Sequence, residues 1–176
     1  MSEPFKAGDV ISFENVGVYS KNFDGNKFSV GGPRTVGFFI DDPETKITVK
    51  GHGPVSLEEF LAMDCPAVKE TTPYEGMPED WEPRLWVKAS IGYNYRAPSI
   101  YQITNRKQLL DEQTIDGLQR ARISGPMDIE VRVAAWEMQG KTGLKLWVTE
   151  AYIPIVMSLL SEKYANLMDG DDDDED

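Results

Sequence analysis

The segment from Met127 to Tyr152 constrains the fold of this chain most. Met127 to Met138 and Leu144 to Tyr152 alternate apolar and polar residues on either side of Gln139-Gly140-Lys141-Thr142-Gly143. Strict alternation is the period of a strand with one face on a core, and a glycine-bearing turn between two such runs predicts a hairpin. A strand of this kind needs neighbours, and the rest of the chain offers them. Val10-Ile11-Ser12-Phe13 continues to Val16-Gly17-Val18-Tyr19, and Arg34 to Ile40 forms a second run. The intervening Asp24-Gly25 and Gly31-Gly32-Pro33 are turn formers, so an early antiparallel hairpin is expected. Strand patterning resumes at Leu85 to Tyr95 and at Ile100 to Thr104.

Helices are expected to be few and short. Ser56-Leu57-Glu58-Glu59 has the form of a capping box, followed by Phe60, Leu61 and Met63, and predicts a helix from Leu57 to Met63. Asp111 to Arg122 reads as a second, with Asp111 as cap and Ile115 and Leu118 on one face. A third, Ser158 to Leu167, would bury Leu159, Leu160 and Tyr164. Residues 41–84, with prolines at 43, 54, 66, 73, 78 and 83, read as an insertion-like loop around the first helix. The sum is a mainly β chain: an antiparallel barrel of OB-fold type over residues 1–168, with short helices.

The last eight residues, 169–176, contain seven carboxylates and no base, too much like charge to fold. They are expected to form a disordered acidic tail that binds a partner through Asp171, Asp172, Asp173, Asp174, Glu175 and Asp176. Removing those seven from the 30 acids leaves 23 against 18 bases, a body charge of −5 within a total of −12. That balance argues against a uniformly basic nucleic-acid binder but not against a local basic stripe. No run approaches membrane-spanning length and no leader pattern opens the chain, so no membrane partner and a cytoplasmic location are expected.

Splitting the strands into their two faces uncovers a repeated combination. Trp86, Lys88 and Ser90 stand opposite Leu85, Val87, Ala89 and Ile91. Glu130, Arg132, Ala134 and Trp136 stand opposite Ile129, Val131, Val133 and Ala135, while Lys145, Trp147 and Thr149 stand opposite Leu144, Leu146 and Val148. Three times a tryptophan shares the non-aliphatic row with a base. Nucleobases stack on indoles for roughly 1–3 kcal/mol each whatever their sequence, while Lys and Arg track the phosphates. Trp86, Trp136 and Trp147 with Lys88, Arg132 and Lys145 therefore form a candidate single-strand groove. Tyr93, Tyr95, Arg96 and Lys141 extend it, the tyrosines only if a bulge at Gly92 shifts the register. The same tryptophans would also serve under a helix, under the proline-rich segment or at a homodimer interface.

Other apparent motifs carry less. Ala135 to Thr142 satisfies the loosest form of a phosphate-binding loop, but a strand and not a helix follows Lys141-Thr142. The aspartates of the tail lack the glycine and closing Glu of a calcium loop. A single Cys65 and a single His52 give no basis for a disulfide, a metal site or a His-based triad, so neither an enzyme nor a cofactor is expected.

Lys88-Ala89-Ser90-Ile91-Gly92-Tyr93, Arg96-Ala97-Pro98, Ile103-Thr104, Leu109-Leu110-Asp111-Glu112, Val133-Ala134-Ala135-Trp136-Glu137 and Gly140-Lys141-Thr142-Gly143-Leu144-Lys145 together resemble the bacteriophage single-stranded-DNA-binding proteins. Asn22-Phe23 and Phe39-Ile40-Asp41-Asp42-Pro43 fit the same resemblance. It implies an OB fold that coats single-stranded DNA during replication and recombination. It also implies an acidic tail that competes with DNA and contacts a DNA polymerase or helicase. The alternative is a protein-interaction module whose tail mimics nucleic acid on a partner enzyme.

Overall fold

Alternation becomes a barrel here through one bent strand. The structure, a computed structural model, describes residues 4–26, 32–65, 67–94 and 96–156. Strand β1 (Val10–Val16) breaks at Gly17 and continues as β2 (Val18–Asn22). There follow β3 (Arg34–Phe39), β4 (Lys46–Val49), β5 (Gly53–Val55), α1 (Leu57–Ala62), β6 (Val68–Glu70) and β7 (Leu85–Ile91). The second half holds β8 (Ser99–Ile103), β9 (Lys107–Leu110), a 3₁₀ turn (Ile115–Gln119), β10 (Met127–Met138) and β11 (Lys141–Pro154).

The main hydrogen-bonded path runs β2-β3-β7-β11-β10-β1-β4-β5. It is not a closed ring of hydrogen bonds. Because β2 and β1 are the two halves of one bent strand, however, the path from β2 to β1 returns to its start through the chain itself. This is the partly open, OB-like arrangement expected of a mainly β chain. One detail of the antiparallel expectation changes: β11 pairs with β7 and with β8 in parallel. The chain leaves β7 and reaches β11 only after β8, β9 and β10, a crossover long enough to bring the strand back in the same direction.

Inward residues of these strands make one core. Phe13 is fully buried, its ring 5.0 Å from that of Phe38 and 5.6 Å from that of Phe60, both edge-on. Phe60 comes from α1, whose start follows from the capping box: Ser56 Oγ accepts from Glu59 N–H, and the Glu59 carboxylate accepts from Ser56 N–H. Replacing such a cap costs about 1 kcal/mol, so the box fixes where the helix delivers Phe60 to the core.

The helix expected at Asp111 to Arg122 is a single 3₁₀ turn, Ile115–Gln119. Asp111 Oδ1 accepts from the N–H groups of Gln113 and Thr114, which spends the cap on a tight turn. Ile115 and Leu118 are fully buried as expected, and a spacing of three is the one that eclipses in a 3₁₀ turn. This turn also covers the outer edge of β2. Lys21 Nζ donates to the carbonyls of Leu118 and Ala121 at 3.2 and 2.7 Å, while the Gln119 amide bridges Phe23 N–H and the Lys21 carbonyl. An uncovered strand edge would template association with other chains.

The last hairpin turns in two residues instead of five. Gln139 and Gly140 both have positive φ, 52° and 78°, and strand pairing resumes at Lys141 opposite Met138. Two left-handed central residues match the twist of the flanking strands. The expected closing helix at 158–167, the acidic residues 169–176 and Tyr95 lie outside the described residues.

Candidate nucleic-acid interface

Registration across β7, β11 and β10 brings the three tryptophan rows onto one outward face. Arg132 is opposite Trp147, Ala134 opposite Lys145, Trp136 opposite Gly143 and Met138 opposite Lys141. On the far side of β11, Trp147 is level with Ser90, two residues from Lys88 and four from Trp86. The aliphatic members of the same strands point into the core: Val87, Val131, Val133 and Leu146 are fully buried. Lys141, at the hairpin tip, is in the same row of β11 as Lys145 and Trp147.

Each indole lies against a glycine of neighbouring backbone: Gly37 in β3, Gly143 in β11 and Gly92 just past the end of β7. A Cβ built at Gly37 would stand 2.8 Å from Trp86, one at Gly92 2.6 Å from Trp147, and one at Gly143 2.6 Å from Trp136. Glycine inside a strand marks a close approach, and here the approaching group is a ring. An indole laid on bare backbone removes part of its apolar surface from water while remaining outside the barrel. The structural role of these tryptophans and a role as stacking platforms are thus compatible.

The three indoles differ in what else they touch. Trp136 is 42% exposed. Trp147 carries the Lys145 ammonium 4.6 Å from its ring centroid, a cation–π contact. Trp86 belongs to an aromatic cluster in which Tyr19 is 4.9 Å from both Trp86 and Phe39. The Arg84 guanidinium sits 3.9 Å over the Phe39 ring and donates to Asp41 Oδ1 at 2.9 Å. Tyr19, Phe39 and Arg84 escape a strand-by-strand reading. The signal for them is Gly37, two residues before Phe39 in an otherwise bulky strand.

A cleft of about 640 Å³ opens between the β10–β11 hairpin and Gly92, Asn94 and residues 96–98. Trp147, Pro98 and Val10 give it apolar walls, and Arg96, Arg132, Asn94 and Thr149 its polar groups. Among the described residues no carboxylate lines it. A second cleft, of about 400 Å³, lies further along β10 and β11, and there Glu14, Asp128, Glu130 and Glu150 gather around Tyr152. The described linings of the two clefts are opposite in charge, which is why the bulk charge describes neither.

Tyr93 does not join the outward face. It packs against the core with Arg34 5.7 Å from its ring, and its buried hydroxyl has no hydrogen-bond partner among the described residues. Burial pushes that hydroxyl up to about 12. No shift of register at Gly92 turns the ring outward, and Tyr93 continues the inward row of Val87, Ala89 and Ile91. Arg96 borders the cleft, and Tyr95 falls outside the described residues. Among the described residues no group of three or more His, Cys, Asp or Glu side chains is placed to hold a metal ion. No described helix is long and apolar enough to cross a membrane.

No protein-family model matches the chain, and no curated protein matches it in sequence. Among solved structures it is similar to a C-terminally truncated single-stranded DNA-binding protein from bacteriophage Enc34. The identity is 11%, the match covers 90% of this chain and 97% of that one, and the TM-score is 0.48.

Proposed function

We propose that this protein binds single-stranded DNA without sequence preference, in phage DNA replication or recombination. The observation that carries the proposal is the outward face on which Trp86, Trp136 and Trp147 lie over backbone glycines beside Lys88, Arg132, Lys141 and Lys145. Bases stack on the indoles and the cations follow the phosphates, an arrangement indifferent to base identity. OB barrels take oligonucleotides on the outer face of their second and third strands and on the loop between the fourth and fifth. In this chain those are β3, β7 and the hairpin tip at Lys141.

The acidic residues Asp171 to Asp176 act on the same surface, covering the cations when DNA is absent and offering a docking segment to a DNA polymerase or helicase when DNA displaces them. Titration of the full-length protein and of a chain lacking 169–176 with oligo-dT, at two salt concentrations, tests both parts. Tryptophan fluorescence is expected to fall on binding, binding to weaken with salt, and the truncated chain to bind more tightly. Absence of quenching at low salt by either chain rejects the proposal. Capture of a DNA-processing enzyme by a chain that does not bind DNA would favour an interaction module instead.

A further inference from the structure

We infer that the cleft between Gly92, Asn94 and residues 96–98 on one side and the β10–β11 hairpin on the other is a pocket for a single nucleotide, distinct from the open platforms. The inference rests on the single-strand reading above and deepens it. A stacking platform needs one flat ring and open solvent, which is what Trp136 offers. The cleft is different in kind: it is concave, at about 640 Å³ it has room for a nucleotide, and its apolar walls are the Trp147 indole, Pro98 and Val10. A base inserted there is covered by apolar surface on more than one side, the usual design of a small-ligand site. The polar groups are placed for the rest of the unit. Arg132 stands across the hairpin from Trp147, and Arg96 lies in the segment that forms the opposite wall. The Arg132 guanidinium, with no carboxylate among the described lining residues, selects an anion of phosphate type. Asn94 supplies a neutral donor and acceptor for a base edge or sugar hydroxyl, and Thr149, whose hydroxyl donates to the Glu130 carboxylate at 2.7 Å, offers an acceptor. The ligand is therefore a nucleoside monophosphate unit, one residue of the bound strand turned into the cleft.

The test is a titration of the full-length protein with thymidine 5′-monophosphate, read from the three outward indole N–H signals in a proton–nitrogen spectrum. Trp147 is expected to shift saturably, with a dissociation constant of roughly millimolar order, while Trp86 and Trp136 move little. Arg132→Ala should weaken that binding about tenfold or more, and Trp81→Phe, off this face and edge-on to Tyr74, should leave it unchanged. Equal movement of all three indoles, no movement at all, or full retention of binding in Arg132→Ala overturns the inference. So does an equal shift of Trp147 by inorganic phosphate alone. If oligo-dT quenches the fluorescence but the mononucleotide moves no indole, the pocket falls and the single-strand reading stands. If the mononucleotide binds and oligo-dT does not, the single-strand reading falls and the cleft remains a mononucleotide site.

Discussion

The indole of Trp147 rests on Gly92, so closely that a Cβ at that glycine would stand 2.6 Å from Cζ3 of the ring. The backbone at Gly92 does not demand glycine, because its φ lies outside the left-handed region. The ring demands it. Gly92→Ala is therefore expected to tilt Trp147 off the sheet with only a small loss of stability, since the far end of an exposed-face ring can give way. Oligo-dT affinity should drop while the melting temperature changes little. Gly37→Ala should cost more stability, about 1–3 kcal/mol, because the added methyl meets both Trp86 and Ser20 Oγ at 2.7–2.8 Å. Thermal unfolding of the two variants side by side measures the difference, and equal costs would contradict the account.

Removing a platform should weaken single-strand binding by the worth of one stacked base. For Trp147→Ala or Trp136→Ala that is roughly 1–3 kcal/mol, a loss of about 5- to 150-fold in affinity. Trp81, which packs edge-on with Tyr74 outside this face, is the control: Trp81→Ala should leave oligo-dT affinity unchanged. Filter binding or fluorescence anisotropy with labelled oligo-dT reads all three variants.

Cations on the same face should be visible in the salt dependence. Lys88→Ala and Lys145→Ala are each expected to flatten the plot of log affinity against log salt by about 0.7 for each phosphate left without its cation. In Lys145→Ala the indole of Trp147 is also deprived of its ammonium neighbour at 4.6 Å, so quenching per bound strand should not decline with affinity. A slope unchanged in both variants would place the phosphates elsewhere.

The hairpin tip can be improved without touching the face. Gln139 holds φ at 52° in front of Gly140, a conformation that favours Asn. Gln139→Asn should stabilise the protein by up to about 1 kcal/mol, raise the melting temperature and leave DNA affinity as it is. A lower melting temperature would show that the turn is not of the primed type.

Stability should decline on the alkaline side. Burial raises the Cys65 thiol from its ordinary 9.0 to about 12 and the Tyr93 hydroxyl from 10.0 to about 12. Both groups stay protonated in the folded chain after they have ionised in the unfolded one. Between the unfolded and folded values the unfolded state binds fewer protons, so unfolding becomes easier as pH rises. The stabilisation is complete below about pH 9 and declines as pH rises toward 12. Cys65→Ala should remove the lower-pH part of that decline, which urea unfolding at about pH 8 and about pH 10.5 would measure.

Strands, the short capped helix and the two-faced rows follow from local pattern alone. Alternation assigns a residue to a face without any knowledge of its neighbours, so Trp86, Lys88, Arg132, Trp136, Lys145 and Trp147 are legible as outward. The capping box at Ser56 and Glu59 is legible because its partners lie three residues apart. Relationships between residues distant in the chain emerge only in the folded molecule, where pairing and packing set them. Register between β7 and β11 puts Trp147 level with Ser90 and so joins three separate rows into one surface. The packing of Tyr93 under Arg34 withdraws it from that surface, and the approach of Gly92, Asn94 and residues 96–98 to Arg132 creates a cleft that no local pattern encodes. Even the glycines beneath the indoles follow this division. Gly37, Gly92 and Gly143 are plain in the sequence, but which ring each one admits is fixed by strand pairing across the barrel.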